Sequence, residues 1–145
     1  MNTIGGLTAK ITFHEVKDVI SMEINNENIS ISLKPGATPV ILNIVPETGN
    51  YAVEENNRDG ETYFESSINA VVADVNRSNS GILKFLAKHP TVAVVESLRG
   101  NKKVFGTKDQ PISFSFTERI SETHAFNGYS LKITANSETP PLFLI

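Results

Sequence analysis

The chain has 145 residues, a length that fits one domain with a single buried core. Its 13 basic and 16 acidic residues are mixed along the sequence and leave a net charge of −3, which argues against a nucleic-acid-binding surface, because such surfaces carry a basic stripe. The lack of cysteine excludes disulfides, thiolate catalysis and cysteine-based metal sites.

The apolar runs of the chain are short. None approaches the ~20 residues that span a bilayer, and MNTIGGLTAK lacks the cationic start and apolar core of a signal peptide. No shift in composition marks a boundary between domains. The sequence therefore predicts one soluble domain over residues 1–145, without membrane contact, that stays in the cytoplasm where it is made.

The first half of the chain predicts β-strands, because apolar and polar residues alternate there with a period of two. The alternation covers residues 11–13, 20–24 and 29–33. The asparagine-rich NNEN between the last two segments is typical of a tight turn. We therefore expect a hairpin in which Ile20 and Ile24 lie on the buried face.

Two more strands are predicted on either side of the acidic stretch EENNRDGET, residues 54–62. Within it, Asn57, Asp59 and Gly60 are spaced like two ligands and the glycine of an EF-hand calcium loop. The closing position is Ser66 instead of a bidentate glutamate, and the flanks predict strands instead of helices. We interpret the stretch as a long, charged hairpin tip in water and predict no metal site.

One helix is predicted near residues 78–89. RSNSGILKFLAKHP carries an apolar stripe, with Lys84 and Lys88 on the opposite side. We expect one of residues 78–80 to cap its N-terminus and Pro90 to end it.

The second half predicts further strands at TVAVVESL, KVFGT, PISFSFTERI and YSLKITAN, with an RGNK turn in which Gly100 and Asn101 take positive φ. The apolar end of SETPPLFLI is expected to dock on the body of the protein. Eight to ten strands and one helix predict a mainly β fold of the α+β class, an antiparallel β-sandwich or open barrel with one short α-helix near residues 78–89.

The sequence shows no catalytic signature. His14, His89 and His124 lie far apart and form no metal-binding pair, and His89 is expected at the C-terminal end of the helix. Phosphate-binding loops, dinucleotide fingerprints and nucleophile elbows do not occur in the sequence. We predict a non-enzymatic protein with no catalytic residues and no cofactor.

Several motifs of the second half follow one another in a distinctive order. A helix leads into a strand, then come the Gly100–Asn101 turn, the strand end at residues 104–107, Pro111, and a late strand from Asn127–Gly128–Tyr129 to Ala135. In this order the chain resembles small structural proteins, associated with the tail or neck, of Bacteroides-type prophages. The first half resembles them more loosely, through VILNIVPETGNYAVEE. The resemblance implies a virion component of β-sandwich or barrel type that works as rings.

Two oppositely charged segments are the predicted subunit contacts, with copies of the chain or other tail subunits as partners. The acidic segment contributes Glu54, Glu55 and Asp59, and the basic segment contributes Arg99, Lys102 and Lys103. The alternative is a free-standing β-sandwich module that binds a glycan or a peptide. Three tyrosines and no tryptophan weaken that alternative, because glycan sites use exposed aromatic platforms.

Overall fold

The computed structural model describes residues 7–45, 48–120 and 127–145. In these ranges the chain forms eleven strands, one α-helix and a single 3₁₀ turn. In chain order they are β1 (Leu7–Glu15), the 3₁₀ turn (Val16–Asp18), β2 (Val19–Asn25), β3 (Asn28–Leu33), β4 (Val40–Asn43), β5 (Asn50–Arg58), β6 (Glu61–Ala73), α1 (Arg77–Lys88), β7 (Thr91–Ser97), β8 (Lys102–Phe105), β9 (Ser113–Arg119), β10 (Gly128–Ser137) and β11 (Leu142–Leu144).

The strands form two sheets that pack face to face. The larger sheet has the order β2-β3-β11-β8-β7-β1-β4, and the smaller has the order β5-β6-β10-β9. The smaller sheet is antiparallel throughout, whereas the larger is mixed, because β11 runs parallel to β3. The prediction of a mainly β, sandwich-like fold with one short helix is confirmed, and the parallel pair is a feature that the sequence analysis did not predict.

Aromatic contacts join the two sheets across the main core. The rings of Phe13 in β1 and Phe114 in β9 meet edge to face with centroids 5.8 Å apart. Tyr51 in β5 and Phe105 in β8 make a similar contact at 5.3 Å. Such pairs add to the area that they bury. Further residues of this core are Ile11, Leu42, Ile68, Val95, Leu131 and Ile133.

A second, smaller apolar cluster lies within the larger sheet, apart from the main core. It joins Ile29 of β3, Val94 of β7, Val104 of β8 and Leu142 of β11. The apolar C-terminal segment therefore docks on the body of the protein, as predicted, and it does so as a strand between β3 and β8.

The helix occupies almost the predicted residues, but its cap is different. Asn76 is the N-cap, and its side-chain oxygen accepts a hydrogen bond from the backbone N–H of Asn79 at 2.8 Å. The cap therefore lies before the predicted range 78–80. Leu83 and Leu86 anchor the helix in the main core. None of the helices among the described residues is long and apolar enough to cross a membrane.

The prediction that Ile20 and Ile24 face the core was wrong. Their side chains are 51% and 57% exposed, and the fully buried residue of β2 is Val19. The pairing of β2 with β3 shifts register between Val19 and Ser21, which interrupts the alternation on which the prediction relied. β2 is also the edge strand of its sheet, with a neighbour on one side only.

Glycine is required at the end of β8. Gly106 has φ of +86°, and a Cβ atom there would lie 2.9 Å from Cγ2 of Ile112. In the turn before β8, Gly100 has positive φ as predicted, whereas Asn101 does not. The single glycine is enough to reverse the chain between β7 and β8.

Candidate functional site

The strands β5 and β6 extend past the rest of the smaller sheet as a two-stranded hairpin. Pairing of β6 with β10 ends at Phe64 and Ser137, whereas pairing of β6 with β5 continues to Arg58 and Glu61. We call residues 54–65 the hairpin arm. Its end is a two-residue turn in which Asp59 and Gly60 have φ of 53° and 83°, the geometry of a type I′ turn. The predicted long tip is therefore strand except at these two residues.

The hairpin arm is strongly acidic. It holds five carboxylates and one guanidinium among its twelve residues. Glu54 lies directly opposite Glu65, and Arg58 lies directly opposite Glu61; all four side chains are exposed. Like charges directly opposite each other destabilise a strand pair, so the Glu54–Glu65 pair lowers the stability of the isolated chain.

The same geometry explains why the arm is not a calcium loop. Asn57 is paired with Thr62 within the strand ladder, and Glu54 and Glu55 point to opposite faces because successive side chains of a strand alternate. Among the described residues, no group of three or more carboxylate or histidine side chains is arranged to hold a metal ion.

The predicted basic segment is divided by the strand geometry. Arg99 is exposed in the turn, whereas Lys102 and Lys103 are adjacent residues of β8 and point to opposite faces of the larger sheet. The ammonium group of Lys103 is 4.6 Å from the ring centroid of Phe143 and 5.9 Å from that of Tyr51. It is held by the protein's own aromatic rings, so the three cations do not share one surface.

A polar cleft lies on the face of the larger sheet that carries Lys102. It has a volume of about 160 Å³ and is lined by Lys10, His14, Glu96 and Lys102 together with Thr12, Val94 and Leu144. This cleft was not predicted from the sequence. Its lining side chains come from four strands that are neighbours only in the folded sheet.

The two histidines among the described residues, His14 and His89, have different surroundings. Burial lowers the pKa of His14, and the nearby carboxylate of Asp18 opposes that shift. His89 is the C-cap of the helix, as predicted, with Nδ1 2.9 Å from the carbonyl oxygen of Phe85 and its ring stacked on that side chain. His124 lies outside the described residues.

The exposed side of the helix forms a second charged surface. Arg77, Lys84 and Lys88 lie on one face at spacings of seven and four residues, and α1 contains no acidic residue. We call these three residues the basic helix face. The outward positions of Lys84 and Lys88 were predicted from the sequence, whereas a surface shared with Arg77 was not.

Open grooves flank this helix at Gly81. One has a volume of about 420 Å³ and is lined by Val40, Arg77, Ser78, Gly81, Ile82 and Phe85. Its lining is mostly apolar. The other groove, of about 390 Å³, includes Ser80, Lys84 and Glu118 in its lining.

Comparison with known proteins gives no relative: no family model, no curated protein and no solved structure matches this chain.

Proposed function

We propose that this protein is a non-enzymatic structural subunit of phage-tail type that acts by self-association or by contact with other tail subunits. The hairpin arm is the observation that carries the proposal. The resemblance of residues 81–120 and 126–145 to tail- and neck-associated prophage proteins supports it from the sequence. In this function the chain is cytoplasmic when made and becomes part of a virion.

The physical chemistry of the arm favours a docked state. A two-stranded hairpin is only marginally stable in water unless its strands pack against something else. The arm passes beyond the sheet that supports its base, and its edge strand β5 leaves backbone groups free to pair. It also keeps Glu54 opposite Glu65. A neighbouring subunit that supplies contacts and positive charge offsets both costs.

The proposal is tested with an arm-shortened variant, in which residues 56–63 are replaced by Asn-Gly so that Glu55 and Phe64 flank a two-residue turn. Sedimentation velocity over a range of concentrations is expected to show growing oligomers for the wild type and monomers for the variant. Circular dichroism and the thermal midpoint check that the variant keeps its fold. A wild type that remains monomeric at every concentration contradicts self-association, and a variant that assembles equally well contradicts the role of the hairpin arm.

The polar cleft favours a second candidate function, that of a glycan- or peptide-binding module. Lys10 and Lys102 flank Glu96 on a sheet face, which supplies donors and an acceptor for a polar ligand. A glycan and peptide array with the wild type and Lys102→Ala tests it. Binding that is lost in the variant, by a protein that stays monomeric, supports this candidate over the structural subunit.

A further inference from the structure

We propose that the hairpin arm of one copy docks on the basic helix face of a second copy, so that the subunits join head to tail. The inference rests on the proposed self-association and names the two surfaces that meet. The partner is a second copy of this chain.

Charge argues against the simplest alternative, in which two arms pair with each other. Each arm has five carboxylates and one guanidinium, so a contact between two arms would place negative charges next to negative charges. The basic helix face has the opposite sign. It offers Arg77, Lys84 and Lys88 along a helix without a single carboxylate.

Shape and apolar surface agree with the same pairing. The arm carries Tyr63 and Phe64, both half-buried, next to its carboxylates. The larger groove beside α1 has Val40, Ile82 and Phe85 in its lining, together with the cation Arg77. An aromatic residue of the arm can therefore enter an apolar groove while the carboxylates around it meet the ammonium and guanidinium groups.

The fold of the single chain does not require glycine at Gly81, and we attribute the absence of a side chain there to a close neighbour. It lies in the middle of α1, where glycine is less stable than alanine by about 0.5–1 kcal/mol. A Cβ atom at this position would meet nothing within 4 Å. Its own chain thus leaves room for a side chain, and the missing side chain opens a notch that admits another backbone.

The two surfaces lie far apart on the protein, so a contact between them joins the copies head to tail. β6 begins in the arm at Glu61 and ends at Ala73, four residues before the helix begins at Arg77. A strand of this length spans about 40 Å at ~3.3 Å per residue, so the two surfaces lie at opposite ends of one strand. They also lie at opposite edges of the smaller sheet, because the arm belongs to β5 and β6 whereas the helix packs against β9. A contact between two different surfaces is heterologous and builds rings or filaments.

The test reverses charge on each surface separately. One variant combines Glu54→Lys, Glu55→Lys and Glu65→Lys and changes the net charge of the arm from −4 to +2, and the other combines Arg77→Glu with Lys84→Glu and changes that of the basic helix face from +3 to −1. Each alone is expected to raise the dissociation constant of self-association by about tenfold or more at low salt, because like charges then face each other. An equimolar mixture of the two variants is expected to recover assembly, since each arm then meets a helix face of opposite sign.

Two further variants control the experiment. Lys34→Glu combined with Lys132→Glu makes the same change in net charge as the helix variant, at exposed positions outside both surfaces, and it is expected to leave assembly unchanged. Gly81→Leu fills the notch without altering charge and is expected to weaken assembly while circular dichroism stays the same. If the wild type assembles and the helix-reversed variant assembles equally well, this inference is overturned and the proposed function stands. If the wild type stays monomeric, this inference is overturned together with the self-association on which it rests.

Discussion

Glu54 and Glu65 lie directly opposite each other on β5 and β6, both exposed, at the base of the hairpin arm. Replacing one carboxylate by an ammonium group turns a repulsive pair into an attractive one. We expect Glu65→Lys to raise the free energy of unfolding by about 0.2–1 kcal/mol, measured by urea denaturation at a concentration where the protein is monomeric. Glu61→Lys is the matched control, because it sets a lysine opposite Arg58 and is expected to lower that free energy. Shifts of the same sign in both variants contradict the prediction.

The side chain of Asn76 begins the helix. Its hydrogen bond to the N–H of Asn79 satisfies a donor that the first turn leaves free. Asn76→Ala is expected to lower the free energy of unfolding by about 0.5–2 kcal/mol. Ser78→Ala removes a hydroxyl two residues later that makes no capping bond, and a change within about 0.5 kcal/mol is expected. Equal losses in the two variants would show that the cap is misassigned.

The hydroxyl of Tyr129 is buried without a hydrogen-bond partner among the described residues. Leaving such a group unsatisfied costs about 1–3 kcal/mol, so removing it relieves a cost instead of breaking a bond. We expect Tyr129→Phe to keep or raise the midpoint of thermal unfolding. Tyr51→Phe, at a residue that is only half-buried, serves as the comparison and is expected to change little. A clear fall in the midpoint for Tyr129→Phe would reveal a hydrogen bond to that hydroxyl.

The pKa of His14 is lowered by burial, so the folded protein binds this proton less readily than the unfolded chain does. The unfolded state therefore takes up more protons as the pH falls below the ordinary value of 6.5, and the folded state loses stability there. We expect the stability of the wild type to rise with pH between the lowered pKa and 6.5. His14→Gln should flatten that part of the profile in denaturation experiments at a series of pH values. Parallel profiles for the two proteins contradict the assignment.

Local signals in the sequence were enough to predict the helix and most strands. The apolar stripe before Pro90 is complete within one segment of the chain, and the turn at Asp59–Gly60 needs only two residues that tolerate positive φ. His89 was assigned to the helix end for the same reason. These features depend on neighbours in sequence, which a pattern reports directly.

Features that depend on partners distant in sequence were not predicted. Lys103 is adjacent to Lys102 in sequence, but its ammonium group lies against rings of Phe143 and Tyr51, which belong to different sheets. Three apolar residues at Leu142–Leu144 do not indicate which strand they join or in which direction. The basic helix face depends on the packing of α1, which decides which side of the helix stays exposed.

The position of β11 means that the larger sheet is completed only after every other strand has been made. β2 and β3 leave the ribosome early, but among the described strands they join the rest of the larger sheet through β11, which follows every other strand in the sequence. Until it is made, Ile29 and Val104 lack the neighbour that joins them in the smaller apolar cluster. A nascent chain therefore leaves Ile29 and its apolar neighbours in the β2–β3 hairpin without their packing partners until β11 has been made.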